Sequence, residues 1–169
     1  MKIQIGMLSV AAVAAAILSS PLALAANPKP DAFIKEAIAG NLAEIKVGQL
    51  AQQKGASEGV RHFGTVLEQD HSKANQNAMQ AASSMGVTPP AEPTPKEQAV
   101  YQHLASLSGK QFDQAFIKAM VKDHKKDIAK FKKEAKGTNS PATTYAETTL
   151  PDLKKHLRLA ESLQRHPSG

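Results

Sequence analysis

Four long stretches of this chain repeat apolar residues at steps of three and four, and each is closed by a residue that stops a helix. The first carries Phe33, Ala37, Gly40, Glu44, Val47 and Ala51 behind Asp31 as a cap, and ends at Lys54 and Gly55. The second starts at Ser57, carries Val60, Phe63, Leu67, His71, Ala74, Ala78 and Met85, and ends at Gly86. The third carries Phe112, Phe116, Met120, His124, Ile128, Phe131 and Ala135 and stops at Gly137. The fourth opens on Ser140 and Pro141 and carries Thr149, Leu153, His156, Ala160 and Leu163. Such a repeat gathers residues on one side of an α-helix and would scatter them over both faces of a strand. The spacing therefore predicts amphipathic helices throughout and no sheet.

The connections decide how those helices are arranged. Tight turns at Gly55 and Gly137 make the first and second helices antiparallel neighbours, and likewise the third and fourth. Between these pairs, Val87 to Pro95 contains Pro89, Pro90, Pro93 and Pro95 and reads as an extended crossover. Thr94, Pro95 and Glu97 form a capping box that starts a short helix running to about Leu107, and Ser108 with Gln111 repeats the signal. Pro151 lies inside the last helix and is expected to bend it, because it lacks an N–H and its ring crowds the preceding turn. The result is an all-α chain: a ferritin-like four-helix bundle with a long crossover containing a short helix.

The N-terminus predicts export. Lys2 precedes an uncharged, Ala-rich apolar run from Ile3 to Leu24, broken by Ser19, Ser20 and Pro21 before small residues at Ala23 to Ala25. Residues 1–25 read as a signal peptide cut near Ala25 or Ala26, and residues 26–169 as a single domain with its core at about 31–164. An uncleaved anchor is the alternative, since the run approaches the roughly 20 residues of a spanning helix. No later segment is apolar enough to span a bilayer. Cysteine is absent, so neither a lipoprotein anchor nor disulfides are available, and a periplasmic domain must hold by packing or metal. The net charge of +6 falls to +5 without Lys2, and nine lysines lie between Lys110 and Lys136. Export and the scarcity of aromatic residues argue against nucleic acid as a partner. A solvated basic face is expected, with weak attraction to anionic lipid headgroups as its functional alternative. Oligomeric state is not legible.

The polar residues inside the stripes carry whatever chemistry the chain has. His71, His124 and His156 are surrounded by apolar residues at helical spacing, and Glu44 stands among Gly40, Val47, Gly48 and Ala51. A carboxyl there is costly to bury unless paired or metal-bound. Any one of these histidines alone is more often a hydrogen-bonded core residue than a ligand, but one such polar group on each helix points to a metal ion held in the bundle core. Counted from Gly55, Glu44 and His71 differ in level by five residues, or roughly 7 Å. Counted from Gly137, His124 and His156 differ by six, or roughly 9 Å. Glu68 stands three residues before His71, the Glu-x-x-His spacing of carboxylate metal sites. Asp70 and Asp123 precede His71 and His124, and each can reach across to a ligand on the next helix. The candidate ligands are thus Glu44, Glu68, His71, Asp123, His124 and His156.

A family resemblance rests on the run from Asp31 through Ala39-Gly40-Asn41-Leu42-Ala43-Glu44 to Ala51, on Val60-Arg61-His62-Phe63 and Asp70-His71-Ser72-Lys73-Ala74-Asn75. It continues in Gly109 to Asp113, Val121 to His124 and Thr149 to Leu157. Across Asp31 to Leu163 the chain resembles the exported domain-of-unknown-function family numbered 4142. The resemblance implies a ferritin-like bundle in a bacterial envelope protein and no established activity. A di-iron site would need a second Glu-x-x-His, but Leu153 stands three before His156, so the set is poor in carboxylates. It suits a single transition-metal ion, Zn, Cu or Fe, better than an oxygen-activating centre. The expected function is a non-enzymatic envelope bundle that binds a transition metal or acts in envelope stress. A peroxide- or oxygen-consuming metal enzyme and a purely structural or partner-binding bundle are the alternatives. No Ser-His-Asp arrangement or phosphate loop is present. His62, His103 and His166 read as surface residues.

Overall fold

In a computed structural model the described residues are 28–166, so the predicted signal segment lies outside them. They form α1 (Pro28–Lys54), α2 (Glu58–Ser84), α3 (Pro95–Ala105), α4 (Gly109–Glu134) and α5 (Pro141–Arg165), with no strand among them. The four long helices and the short helix in the crossover are those expected. No helix among the described residues is long and apolar enough to cross a membrane.

The local signals explain most of the boundaries. Ser57 caps α2 by accepting from the Val60 N–H, and Thr94 with Glu97 completes a reciprocal capping box on α3. Gly86, at φ 68°, closes α2: its N–H bonds to the Ser83 carbonyl and that of Val87 to the Ala82 carbonyl, the Schellman pattern. Two readings differ. α1 begins at Pro28 and places Asp31 in its first turn rather than at its cap, since prolines are tolerated where N–H groups have no intrahelical partner. Ser108 stands at the N-cap of α4 but makes no side-chain cap bond. α5 runs through Pro151 as one helix from Pro141 to Arg165.

The tightest packing is between α1 and α2, and the reason is two glycines. A Cβ built on Gly48 would lie 2.7 Å from the Gly64 carbonyl oxygen, and one on Gly64 would lie 2.6 Å from that of Gly48. The backbones therefore touch where both side chains are missing. Seven residues further from the turn on each helix, Asn41 meets His71. At the turn itself, buried Asp113 of α4 accepts the Ala56 and Ser57 N–H groups at 2.9 and 2.8 Å. That carboxyl fastens the first hairpin to the second. Lys125 of α4 is exposed and pairs with Glu161 at 2.9 Å, whereas Lys118, Lys122, Lys126 and Lys130 face the gap between α1, α3 and α4.

Candidate metal centre

A single polar layer divides the core in two. Towards the α1–α2 turn lies an apolar cluster built on Val47, Leu50, Phe63, Leu67, Phe112, Phe116 and Ala160. Towards the other end lies one built on Ile34, Ile38, Ala78, Ala82, Ile128, Phe131, Tyr145 and Leu153. Between them each long helix contributes a buried polar side chain: Asn41 from α1, with Glu44 one turn further on, His71 from α2, His124 from α4 and His156 from α5. Apolar side chains pack above and below this layer, so its buried polar atoms need partners within it.

The three histidines converge. One ring nitrogen from each lies within 4.8 Å of the others, and the ring centroids are 5.2 to 5.9 Å apart. The other nitrogen of each ring is already engaged. His71 Nδ1 donates to Asn41 Oδ1 at 2.9 Å, while Asn41 Nδ2 donates to the Tyr145 hydroxyl at 2.9 Å. His124 Nδ1 donates to the Met120 carbonyl at 3.0 Å, and His156 Nε2 to Asp70 Oδ2 at 2.8 Å. These acceptors fix the tautomers, because a carbonyl or carboxylate oxygen requires the proton on the nitrogen that faces it. The inward atoms are therefore three lone pairs: His71 Nε2, His124 Nε2 and His156 Nδ1.

That arrangement is unfavourable without a cation. His124 Nε2 and His156 Nδ1 face each other at 3.3 Å with no proton between them in the neutral tautomers, and His71 Nε2 is buried without any partner. A proton is a poor solution. Burial, reinforced by the other two rings, holds His71 well below the usual imidazole range, and burial with His156 nearby holds His124 at about 3. His156 is also lowered by burial, which Asp70 opposes. A metal ion answers the need. Two ligands of a tetrahedral ion at roughly 2.0–2.1 Å metal–nitrogen distance stand about 3.3 Å apart, the separation found for His124 and His156. Engagement of every outer nitrogen by a carboxylate, amide or backbone oxygen is the arrangement that orients metal-bound histidines and raises their basicity.

The three predicted carboxylates stand elsewhere. Glu68 points along the outer α1–α2 seam and accepts from Gln49 and Gln52 at 2.8 and 2.6 Å, because Glu-x-x-His spacing spreads its two residues over adjoining positions rather than one. Glu44 is buried and its Oε2 has no hydrogen-bond partner, but it stands one turn nearer the hairpin than Asn41, the residue level with His71. The level count from Gly55 anticipated that offset. Asp123 is half-exposed, 3.9 Å from Lys126 and close to Glu44, and does not join the histidine cluster. Glu44, Asp123 and His71 all border one cavity of about 880 Å³ between α1, α3 and α4.

Asn41 and the Met120 carbonyl were not singled out by sequence. Asn41 carried a usable signal, since it lies four residues after Ala37 and seven before Gly48 on the buried side of α1. A backbone carbonyl leaves none. Asp70 reaches across to α5 as its position on α2 allowed, and also binds Lys155 at 2.5 Å. His62, His103 and His166 are exposed.

The chain matches the family described as "Domain of unknown function (DUF4142)" over residues 17–163. Its fold is similar to that in "Crystal structure of DUF305 fragment from Deinococcus radiodurans", with a TM-score of 0.71 at 13% sequence identity, covering 82% of this chain and 96% of that one. At that identity the likeness concerns the fold alone. No curated protein matches the chain.

Proposed function

The chain belongs to the DUF4142 family, and from that premise we propose that it is an exported helical bundle that binds one transition-metal ion through His71 Nε2, His124 Nε2 and His156 Nδ1. One observation carries this reading: three buried imidazole lone pairs within 4.8 Å of one another, each with its outer nitrogen already committed to an acceptor. Neutral imidazole donors suit Zn²⁺, Cu²⁺ or Fe²⁺, and three of them leave a fourth position open. The signal-like N-terminus supports a site outside the cytosol. The extra-cytoplasmic location and the metal stand together as one proposal.

Tag-free protein purified without chelator is expected to carry one equivalent of metal by elemental analysis. His124→Ala and His71→Ala are each expected to lose it while keeping their helical circular dichroism. Metal-free protein is also expected to gain about 2.7 kcal/mol of unfolding free energy, and so to melt at a higher temperature, when Zn²⁺ is added at a hundredfold excess over Kd. No metal above background, and no shift on adding Zn²⁺, Cu²⁺ or Fe²⁺, would leave the layer a hydrogen-bonded core.

A further inference from the structure

We propose that Glu44, with Asp123 and Asp127, forms a transient cation-binding station through which a divalent metal ion passes from solvent to His71; this rests on the tri-histidine reading. The cavity between α1, α3 and α4 supplies the path. α1 and α4 pack loosely there, and α3 covers the gap with a single buried residue, Leu104. Small residues, among them Gly40, Ala43, Ala115 and Ala119, contribute to its lining. His71 is the one member of the histidine cluster that borders this cavity.

Two residues that border it carry orphaned polar atoms. Glu44 is 95% buried, since its relative exposure is 5%, and Oε2 has no partner; His71 Nε2, at the same exposure, has none either. Asp123 stands within hydrogen-bonding reach of the Glu44 carboxyl, which leaves one buried oxygen, Oε2, without the partner that burial calls for. Asp123 and Asp127 stand close enough to Glu44 that, after burial, their charges are the next causes holding its carboxyl well above the usual range. Like charges so crowded favour a cation among them. Lysines stand here too: Lys130 is engaged by Glu36, Lys96, Lys118 and Lys122 border the cavity, and Lys126 lies 3.9 Å from Asp123 and 4.0 Å from Asp127, so an arriving ion must displace its half-exposed side chain into solvent. Glu44 stands one turn, about 4.5 Å along the axis, from Asn41, and Asn41 holds the Nδ1 edge of His71, the edge opposite the ligating Nε2. An ion held by carboxylate oxygens is passed to imidazoles, which bind late transition metals more strongly. As the ion arrives Glu44 releases its proton to solvent, and it takes one back when the ion moves on.

Stopped-flow mixing of the metal-free protein with Co²⁺, read by the visible absorption of the bound ion, tests this. Glu44→Gln and Asp127→Asn are each expected to slow loading by about tenfold or more while the final absorbance, the stoichiometry and Kd stay at wild-type values. Release to excess chelator should slow by the same factor. Loading within about twofold of wild type in both folded variants overturns the station. So does a Glu44→Gln variant that loads at the normal rate but binds less cobalt at equilibrium, which makes Glu44 a permanent ligand. A wild-type protein that takes up no cobalt overturns the tri-histidine reading and the station with it. Cobalt uptake lost in His124→Ala keeps the tri-histidine reading whatever the rates show.

Discussion

Replacing Gly64 by alanine should destabilise this protein, although alanine is the better helix former. In an exposed helix interior the change gains about 1 kcal/mol. Here the new Cβ would lie 2.6 Å from the Gly48 carbonyl oxygen, 2.9 Å from Ala51 Cβ and 3.0 Å from the Gln52 nitrogen. Two of the three obstacles are backbone atoms, which cannot rotate away, so α1 and α2 must separate by roughly 0.8 Å to restore ordinary contact. Overpacking of this kind costs about 1–3 kcal/mol, and a backbone obstacle places it at the upper end, for a net loss of about 2 kcal/mol. Thermal unfolding should fall by roughly 4–8 °C. The same separation stretches the Asn41–His71 bond seven residues away, so metal affinity should drop as well, by about tenfold. Gly40→Ala is the matched control on α1, because its Cβ would meet only Glu97 Oε1 at 3.9 Å. It should be neutral or stabilising. Urea titrations of the two variants decide the matter: equal shifts, or a more stable Gly64→Ala protein, would refute the close-approach account.

Three further outcomes follow from the same structure. His124 is held at about 3 against 6.5 unfolded, so its native form binds fewer protons and its contribution to stability is present above pH 6.5 and lost as pH falls towards 3. Glu44 and Asp127 are raised, the latter to about 6, and act in the opposite sense, so the comparison must be with a variant: His124→Leu should show a pH dependence flatter by about 1.4 kcal/mol per unit between pH 4 and 6 in metal-free melts. Parallel curves would contradict the buried neutral ring. Asp113→Ala removes the acceptor of two N–H groups at the first turn and should cost about 2–4 kcal/mol in denaturant titration without changing metal stoichiometry. Asp70→Asn keeps the size of the side chain but takes the charge from behind His156, and should weaken metal binding by about 10- to 100-fold in competition with a chelator.

The bundle itself was legible because its signals are local. Stripes at three- and four-residue steps, the Ser57 and Thr94 caps, the Gly86 stop and the four prolines of the crossover each act within a few residues, and each appears in the structure where it was expected. The inward placement of His71, His124 and His156 was legible for the same reason. The carboxylates were not. Glu68 shares the helical spacing of a metal motif but lies on the outer seam, and Glu44 falls one turn off the histidine layer. Periodicity reports which side of a helix a residue is on, within a wide arc, and leaves the level at which it meets its neighbour to packing.

Sequence alone determined that this chain makes four amphipathic helices in two antiparallel pairs, with buried imidazoles on three of them, because periodicity, caps and breakers are properties of short segments. Tertiary structure decided the rest. The Gly48–Gly64 contact sets how α1 slides along α2, and so puts Asn41 rather than Glu44 level with His71. The Asp113 clamp and the packing of α5 set how the second pair meets the first, and so bring Asp70 to His156. Which nitrogen of each ring carries its proton, and hence that three lone pairs face one another, depends on acceptors supplied by a different helix for two of the three rings, a relation no single stripe contains.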